Sequence, residues 1–147
     1  MDKFSATVRS KLMSRIKSKN TNPELRVRSV LHALGYRFRI NRRDLPGTPD
    51  IVLPKYQLCI FVHGCFWHRH LLCKRATMPA TRRQFWEEKF SKNVYRDKIS
   101  HQLLLDLGWQ VLTIWECQTR KTETIVAALD FLFKLNERNN IESSQQV

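Results

Sequence analysis

The spacing of hydrophobic positions along the chain changes several times, and each change marks an element. Asn22, Pro23 and Glu24 read as an N-cap, a first-turn proline and an acidic first turn; Leu25, Val30, Leu31 and Leu34 then recur at helical spacing until Gly35 supplies a C′ stop. That stretch predicts a helix. Tyr36, Phe38 and Ile40 alternate with Arg37 and Arg39, the period-2 signature of a strand with one wet face. After a turn over Leu45 to Pro49, two β-rich runs, Asp50 to Leu53 and Gln57 to Val62, flank Pro54, Lys55 and Tyr56 and predict a hairpin. The second run is apolar enough for a central strand. Thr81 with Gln84 three residues on reads as a capping box opening a helical stretch to Leu107, which Gly108 ends, with room for a break near Lys92 or Asn93. Trp109 to Trp115 returns to strand, and Thr122 to Asn136 closes with a helix whose inward positions are Ile125, Ala128, Leu129, Leu132 and Leu135. The predicted order is helix, three strands, helix, strand, helix, which is α/β.

The two ends read differently. Residues 5–18 can form a basic helix with Val8, Leu12, Met13 and Ile16 on or near one face, interrupted over Lys17 to Thr21. The polar stretch from Asn136 to Val147 is expected to fray. With no internal repeat and no low-complexity linker, the chain divides into a basic arm (1–20), one domain (21–136) and a polar tail (137–147).

Charge narrows the class of partner. The 26 Lys and Arg against 13 Asp and Glu leave +13, and residues 1–43 carry 12 of those cations against only Asp2 and Glu24. A second basic cluster, Arg69 to Lys98, is interleaved with Phe85, Trp86 and Phe90, a combination suited to phosphate contacts and base stacking. Self-repulsion of this size gives the fold nothing, so nucleic acid is the expected partner rather than a merely solvated face. An acidic membrane surface fits less well, because no long amphipathic Trp/Leu face accompanies the arm. No apolar run approaches the roughly 18 residues of a span, and Met1 to Lys11 lacks an apolar core of the secretory kind. A cytoplasmic protein is expected, where disulfides are not the default use of cysteine.

The densest chemistry follows the predicted central strand, from His63 through Gly64, Cys65, Phe66, Trp67, His68, Arg69 and His70 to Cys73. Cys65, His70 and Cys73 offer three donors, and a tetrahedral zinc site needs a fourth, for which Cys117 at the end of the next strand is the natural candidate. The spacing is not that of a zinc finger, and buried thiols without metal are the alternative. Cys59, mid-strand among apolar neighbours, reads as a small buried hydrophobe. His63 and His68 are left for acid–base work. Asp50 opens a strand after a sharp turn, where its carboxylate suits Mg²⁺ or simply ends the turn. Phe66 and Trp67 either pack inward or serve the adjacent chemistry. His32 and His101 have no motif around them and are expected on helix surfaces.

These residues also carry a resemblance. Leu45-Pro46-Gly47-Thr48-Pro49-Asp50, the run Phe61 to His68, Pro79-Ala80-Thr81-Arg82, Phe85-Trp86, Lys92-Asn93-Val94 with Arg96-Asp97, and Trp115-Glu116-Cys117 closely resemble the very short patch repair (Vsr) endonucleases, over nearly the whole chain from about Arg9 to Cys117. The resemblance implies a restriction-endonuclease-like core, a mixed central sheet flanked by helices, with a structural zinc site. It implies nicking of double-stranded DNA 5′ to the thymine of a T:G mismatch left by deamination of 5-methylcytosine, the step that initiates very short patch repair. Two Mg²⁺ ions are implied, both on Asp50 and one also on the backbone carbonyl of Val62, where the family often has threonine. His68 is implied as general base, Asp97 as its support, and Glu24 and His63 as holding waters of the ions; histidine suits proton exchange near neutral pH. Phe66, Trp67 and Trp86 would stack into the duplex and Met13 would wedge from the minor groove, with Lys89 and Asn93, one helical turn apart, facing the T:G edge. An extra residue at Leu71-Leu72 leaves two histidines eligible for zinc, of which His70 is preferred to His68. A monomer in the nucleoid-associated cytoplasm is implied, linked to a DNA cytosine methyltransferase and a repair polymerase and ligase. Two rivals stand beside this reading: a non-cutting, zinc-stabilised mismatch-binding module, and a restriction-type nuclease cutting both strands. Asp50, His63 and His68 speak against the first.

Overall fold

The structure, a computed structural model, describes residues 19–145. Helix α1 (Asn22–Ala33) begins one residue earlier than the sequence predicts, because Thr21 and not Asn22 is the N-cap. The Thr21 hydroxyl accepts from the Glu24 N–H at 3.5 Å, and the Glu24 carboxylate reaches back to accept from the Asn20 N–H at 2.9 Å. Thr21 thus caps the helix while the Glu24 carboxylate folds back over its start to Asn20, which satisfies donors at the helix end and turns Glu24 inward. Gly35, at φ +85°, ends the helix as predicted.

Four strands form one sheet in the order β1 (Arg39–Ile40), β2 (Ile51–Leu53), β3 (Leu58–His63), β4 (Gln110–Trp115). The predicted hairpin is β2 and β3, antiparallel with Val52 opposite Cys59 and joined by a 3₁₀ turn at Pro54–Tyr56 with Gln57 at φ +48°. β4 runs parallel to β3, with His63 opposite Trp115 at their C-terminal ends. β1 differs from expectation. Only two of its five predicted residues pair, and Ile40 is exposed, since an edge strand with one partner leaves its outer side uncovered. Tyr36 and Phe38, ahead of the strand, pack on the core instead.

Helix α2 (Arg83–Asp106) is the crossover between the parallel strands and runs without a break through Lys92 and Asn93. Thr81 does not cap it: the chain enters through Arg82 at φ +54° with no side-chain cap. The predicted closing helix is two, α3 (Thr122–Ala128) and α4 (Asp130–Gln145), the second helical through most of the stretch expected to fray. Among the described residues no helix is long and apolar enough to cross a membrane.

Alternation along the central strand sorts the core into two layers. Leu58, Ile60 and Val62 face α1, α3 and α4, meeting Val27, Leu31, Ile125, Leu129 and Leu132; Cys59 and Phe61 face α2 at Leu104. Both sheet faces are thus covered, which explains why β3 is apolar at successive positions. Cys59 is fully buried, and burial pushes its thiol up to about 11.

Candidate active site and metal centre

Loops meet where β3 and β4 end, and a cleft of about 560 Å³ opens there. Glu24, Asp50, Val62, His63, His68, Asn93 and Asp97 line it, drawn from α1, the β2 entry, β3, the following loop and α2. The turn before Asp50 sits tight against α2. A Cβ on Gly47, at φ +75°, would lie 2.7 Å from Ser100 Cβ, so only glycine fits. Asp50 is consequently fixed, and one of its carboxylate oxygens accepts from the Val62 N–H at 2.7 Å. Burial raises its carboxyl to about 7 against that hydrogen bond, and the nearby Glu24 carboxylate adds to the rise. Glu24 itself is buried and paired with Arg28 at 3.2 Å. A desolvated carboxylate beside a second one, in an open cleft, is a place where a hard cation restores ionisation.

Opposite lies a histidine dyad. His68 Nδ1 is 2.7 Å from Asp97 Oδ2, and the His63 and His68 rings stack with centroids 3.8 Å apart and planes 5° from parallel. Burial alone would raise the Asp97 carboxyl, but the hydrogen bond and the positive potential of His68 hold it below its usual range. Burial, with His68 alongside, pushes the His63 imidazole down to about 3, so His63 is neutral. With Nδ1 facing the Asp97 carboxylate, the His68 tautomer that carries its proton on Nδ1 is the one that satisfies both groups. His101 departs from expectation. It lies half-buried rather than on the surface, its ring 4.8 Å from Phe61 and 5.9 Å from His63, because one turn along α2 from Asp97 faces the sheet. His32 is exposed as expected.

The second cluster is Cys65, His70, Cys73 and Cys117, whose donor atoms all lie within 4.8 Å of one another. His70 Nδ1 is 3.7 Å from Cys65 Sγ and 3.5 Å from Cys117 Sγ. Cys117 enters from the 3₁₀ turn Glu116–Arg120 that follows β4, so the cluster ties the loop after β3 to the end of the neighbouring strand. Three sulfurs and one imidazole nitrogen so close, all thiols free, form a donor set that suits tetrahedral zinc.

Between the clusters the loop presents aromatics to α2. Phe66 lies 5.0 Å from Trp67, 5.7 Å from Trp86 and 5.1 Å from Phe90, ring centre to ring centre. Phe90 is buried, whereas Phe66, Trp67 and Trp86 are half-buried and so keep accessible edges. Arg69 secures the base of this group, its guanidinium 4.0 Å from the Phe90 ring centre and donating to the carbonyls of Phe66, Ala76 and Thr77. Asn93 donates to the Trp67 carbonyl at 3.1 Å, and Lys89 Nζ lies 5.9 Å from the Trp67 ring centre. Met13 lies outside the described residues.

Comparison with known proteins adds to this geometry. The sequence profile of the family described as "DNA mismatch endonuclease Vsr" matches residues 1–75. Similar proteins include the "DNA mismatch endonuclease Vsr" of Escherichia coli, 44% identical over 124 residues that span 84% of this chain and 79% of that one. The chain belongs to the Vsr family. The "Type II nicking enzyme V.XorIIP" of Xanthomonas oryzae pv. oryzae is 45% identical over 128 residues, 87% of this chain and 93% of its own. The "Type II nicking enzyme V.NmeAIP" of Neisseria meningitidis serogroup A is 41% identical over 119 residues, 81% and 84% respectively.

Within this Vsr chain the structure brings together more than the sequence motifs. Lys19, Arg43 and Arg96 line the cleft as cations, and Arg28 and His101 support it from behind. His101 carried a usable signal, its four-residue spacing from Asp97 on a predicted helix. Arg28 carried the same signal relative to Glu24, but without the cap reversal that turns Glu24 inward it reads as a surface ion pair.

Proposed function

We propose that this protein is a mismatch-specific DNA endonuclease that nicks the strand 5′ to the thymine of a T:G pair and so starts very short patch repair. What supports this most is that Asp50 and the His68–Asp97 pair line one cleft at the end of β3, in a chain of the Vsr family. The buried, raised Asp50 carboxyl fits a resident cation: Asp50 would hold two Mg²⁺, the Val62 carbonyl one of them, with Glu24 and His63 ordering the surrounding waters. Bound there, such ions activate water and neutralise charge on the attacked and leaving oxygens. His68 accepts the proton of the attacking water at Nε2, and Asp97 stabilises the imidazolium that results. His63, neutral and buried, holds the plane of His68 without competing for the proton.

Recognition falls to the aromatic edge. Phe66, Trp67 and Trp86 enter the duplex beside the mismatch, with Met13 opposite, and Lys89 and Asn93 meet the T:G pair. Opening a stacked step costs roughly a few kcal/mol, and a mismatched step costs less, which favours the damaged site. The Cys65, His70, Cys73 and Cys117 donors fit structural Zn²⁺, since four protein ligands leave no open position for water. The fold is read as restriction-endonuclease-like and the protein as a monomer of the nucleoid-associated cytoplasm, serving DNA in which a cytosine methyltransferase has acted and passing its nick to a repair polymerase and ligase. A gel that separates nicked from linear product on T:G, T:A and C:G duplexes tests the proposal. Nicking confined to T:G is expected. Binding without cleavage identifies a recognition module instead, and linear product from paired duplexes identifies a restriction-type nuclease.

A further inference from the structure

One side chain touches both clusters. Trp115 ends β4, paired in register with His63 at the end of β3, and its indole meets both sites at once. On one side it stacks on His70, centroids 4.2 Å apart and planes 9° from parallel; on the other it meets His63 edge-on at 5.4 Å and 72°. His63 in turn stacks on His68 at 3.8 Å. The order of rings is thiol-cluster imidazole, indole, buried imidazole, base. Trp115 is itself held firmly: its backbone N–H donates to Gln118 Oε1 at 2.8 Å, and the next residue, Glu116, pairs with Arg75 of the loop at 3.0 Å.

We propose that Trp115 is a positioning residue through which the Cys65–His70–Cys73–Cys117 cluster sets the orientation of His63 and thereby of the base His68. The physical reason lies in what holds His63. Its ring is buried, has no protein hydrogen-bond partner among the described residues, and is held in the protein by the rings packed around it, His68, Phe61, His101 and the Trp115 edge. Packing of this kind fixes a ring only while every wall is present. Trp115 is the wall that the metal cluster anchors, since His70 lies flat on its other face. Asp97 holds one atom of His68, and the stack supplies the second constraint that keeps Nε2 aimed into the cleft. The assignment rests on the reading of His68 as the base and adds to it a route by which an ion outside the reaction governs the rate.

Two substitutions separate this role from a general stabilising one. Trp115→Leu removes the indole, and His70→Cys keeps four metal donors while removing the ring that stacks on it. Both variants are expected to keep about one zinc per chain by elemental analysis and the wild-type affinity for T:G duplex, while single-turnover nicking slows by about 10- to 100-fold, the scale of a small misplacement. The double variant is expected to be no slower than the slower single, because both act on one stacking interaction, and Trp115→Phe to recover much of the rate. In parallel, the ¹⁵N imidazole resonances of His63 and His68 are expected to move in both single variants. That readout does not depend on nicking, so failure of wild type to nick T:G counts against the proposed function while the resonances still decide the role of Trp115. Unchanged resonances, loss of metal in Trp115→Leu, or multiplicative rate effects in the double variant would each overturn it.

Discussion

Asp50 shows how one side chain is prepared by several elements. The glycine turn delivers it, the Val62 N–H orients it, and burial beside Glu24 raises its carboxyl to about 7. A carboxylate so placed is poorly stable alone and gains most from a cation. Asp50→Ala is therefore expected to abolish metal-dependent nicking while leaving binding to a T:G duplex largely intact, since phosphate contacts supply most of the affinity. Retained nicking by the purified variant would remove Asp50 from the site. His63 makes the opposite kind of prediction. Its folded value of about 3 lies below the ordinary value of 6.5, so between those limits the unfolded chain binds the extra proton. The stability from burying it neutral is complete above pH 6.5 and declines as pH falls towards 3. The loss over the whole window is on the order of a few kcal/mol. Urea midpoints between pH 7 and 5 are expected to fall more steeply for wild type than for His63→Gln, and equal slopes would mean that His63 is not buried neutral.

At the scale of elements, what was legible depended on how local the cause is. Helix and strand identities followed largely from period, and the hairpin, the return strand and the C′ role of Gly35 are as read, while the parallel sense of that strand had no sequence signal. The two cap assignments were less secure because a cap is a short pattern that tertiary entry can override: the first cap is Thr21 rather than Asn22, and Thr81 forms no capping box since the loop delivers the chain to Arg82 in a left-handed turn. Ile40 alternates correctly yet faces solvent, because period cannot tell an edge strand from a covered one. The Cys/His cluster was legible since its donors are rare residues close in sequence, and the fourth needed only adjacent parallel strands. For His101 only the four-residue spacing from Asp97 was legible; its contacts with Phe61 and His63 were not, as those residues come from another element. The same distinction yields two predictions. Gly47→Ala places a methyl 2.7 Å from Ser100 Cβ at φ +75°, so it is expected to lose about 2 kcal/mol or more and to slow nicking; Ser100→Gly in the same chain is expected to restore part of both. If Gly47→Ala melts like wild type, the turn is not locked against α2. Cys117→Ser is expected to lose zinc and stability together, because metal binding at a clamp between loop and strand is coupled to folding, while Cys59→Ser keeps the metal. Elemental analysis and thermal melts decide this, and wild type with less than about half an equivalent of tightly bound zinc would refute the clamp.

For the molecule as a whole, charge and shape divide the labour of binding. The +13 surplus is concentrated before Arg43, and Lys19, Arg43 and Arg96 continue it to the rim of the cleft. Pairing of such cations with phosphates releases counterions and takes no account of sequence, whereas Phe66, Trp67 and Trp86, in the role proposed for them, would respond to how easily a step opens. The two contributions are therefore separable by salt. Replacing Lys11, Arg15 and Lys17 with glutamine is expected to weaken binding to T:G and T:A duplexes by the same factor. The slope of log K against log salt should become shallower by about 0.9 for each phosphate that the variant no longer neutralises. Nicking at saturating DNA should hold its wild-type rate, since the chemistry is assigned to Asp50, His68 and Asp97 of the domain rather than to the arm. Fluorescence anisotropy titrations at several salt concentrations measure the affinity and the slope at once. A triple variant that keeps the wild-type slope but loses preference for T:G would mean that the arm reads the mismatch rather than the backbone, and would reverse the division between charge and aromatic wedge drawn from the sequence and the site.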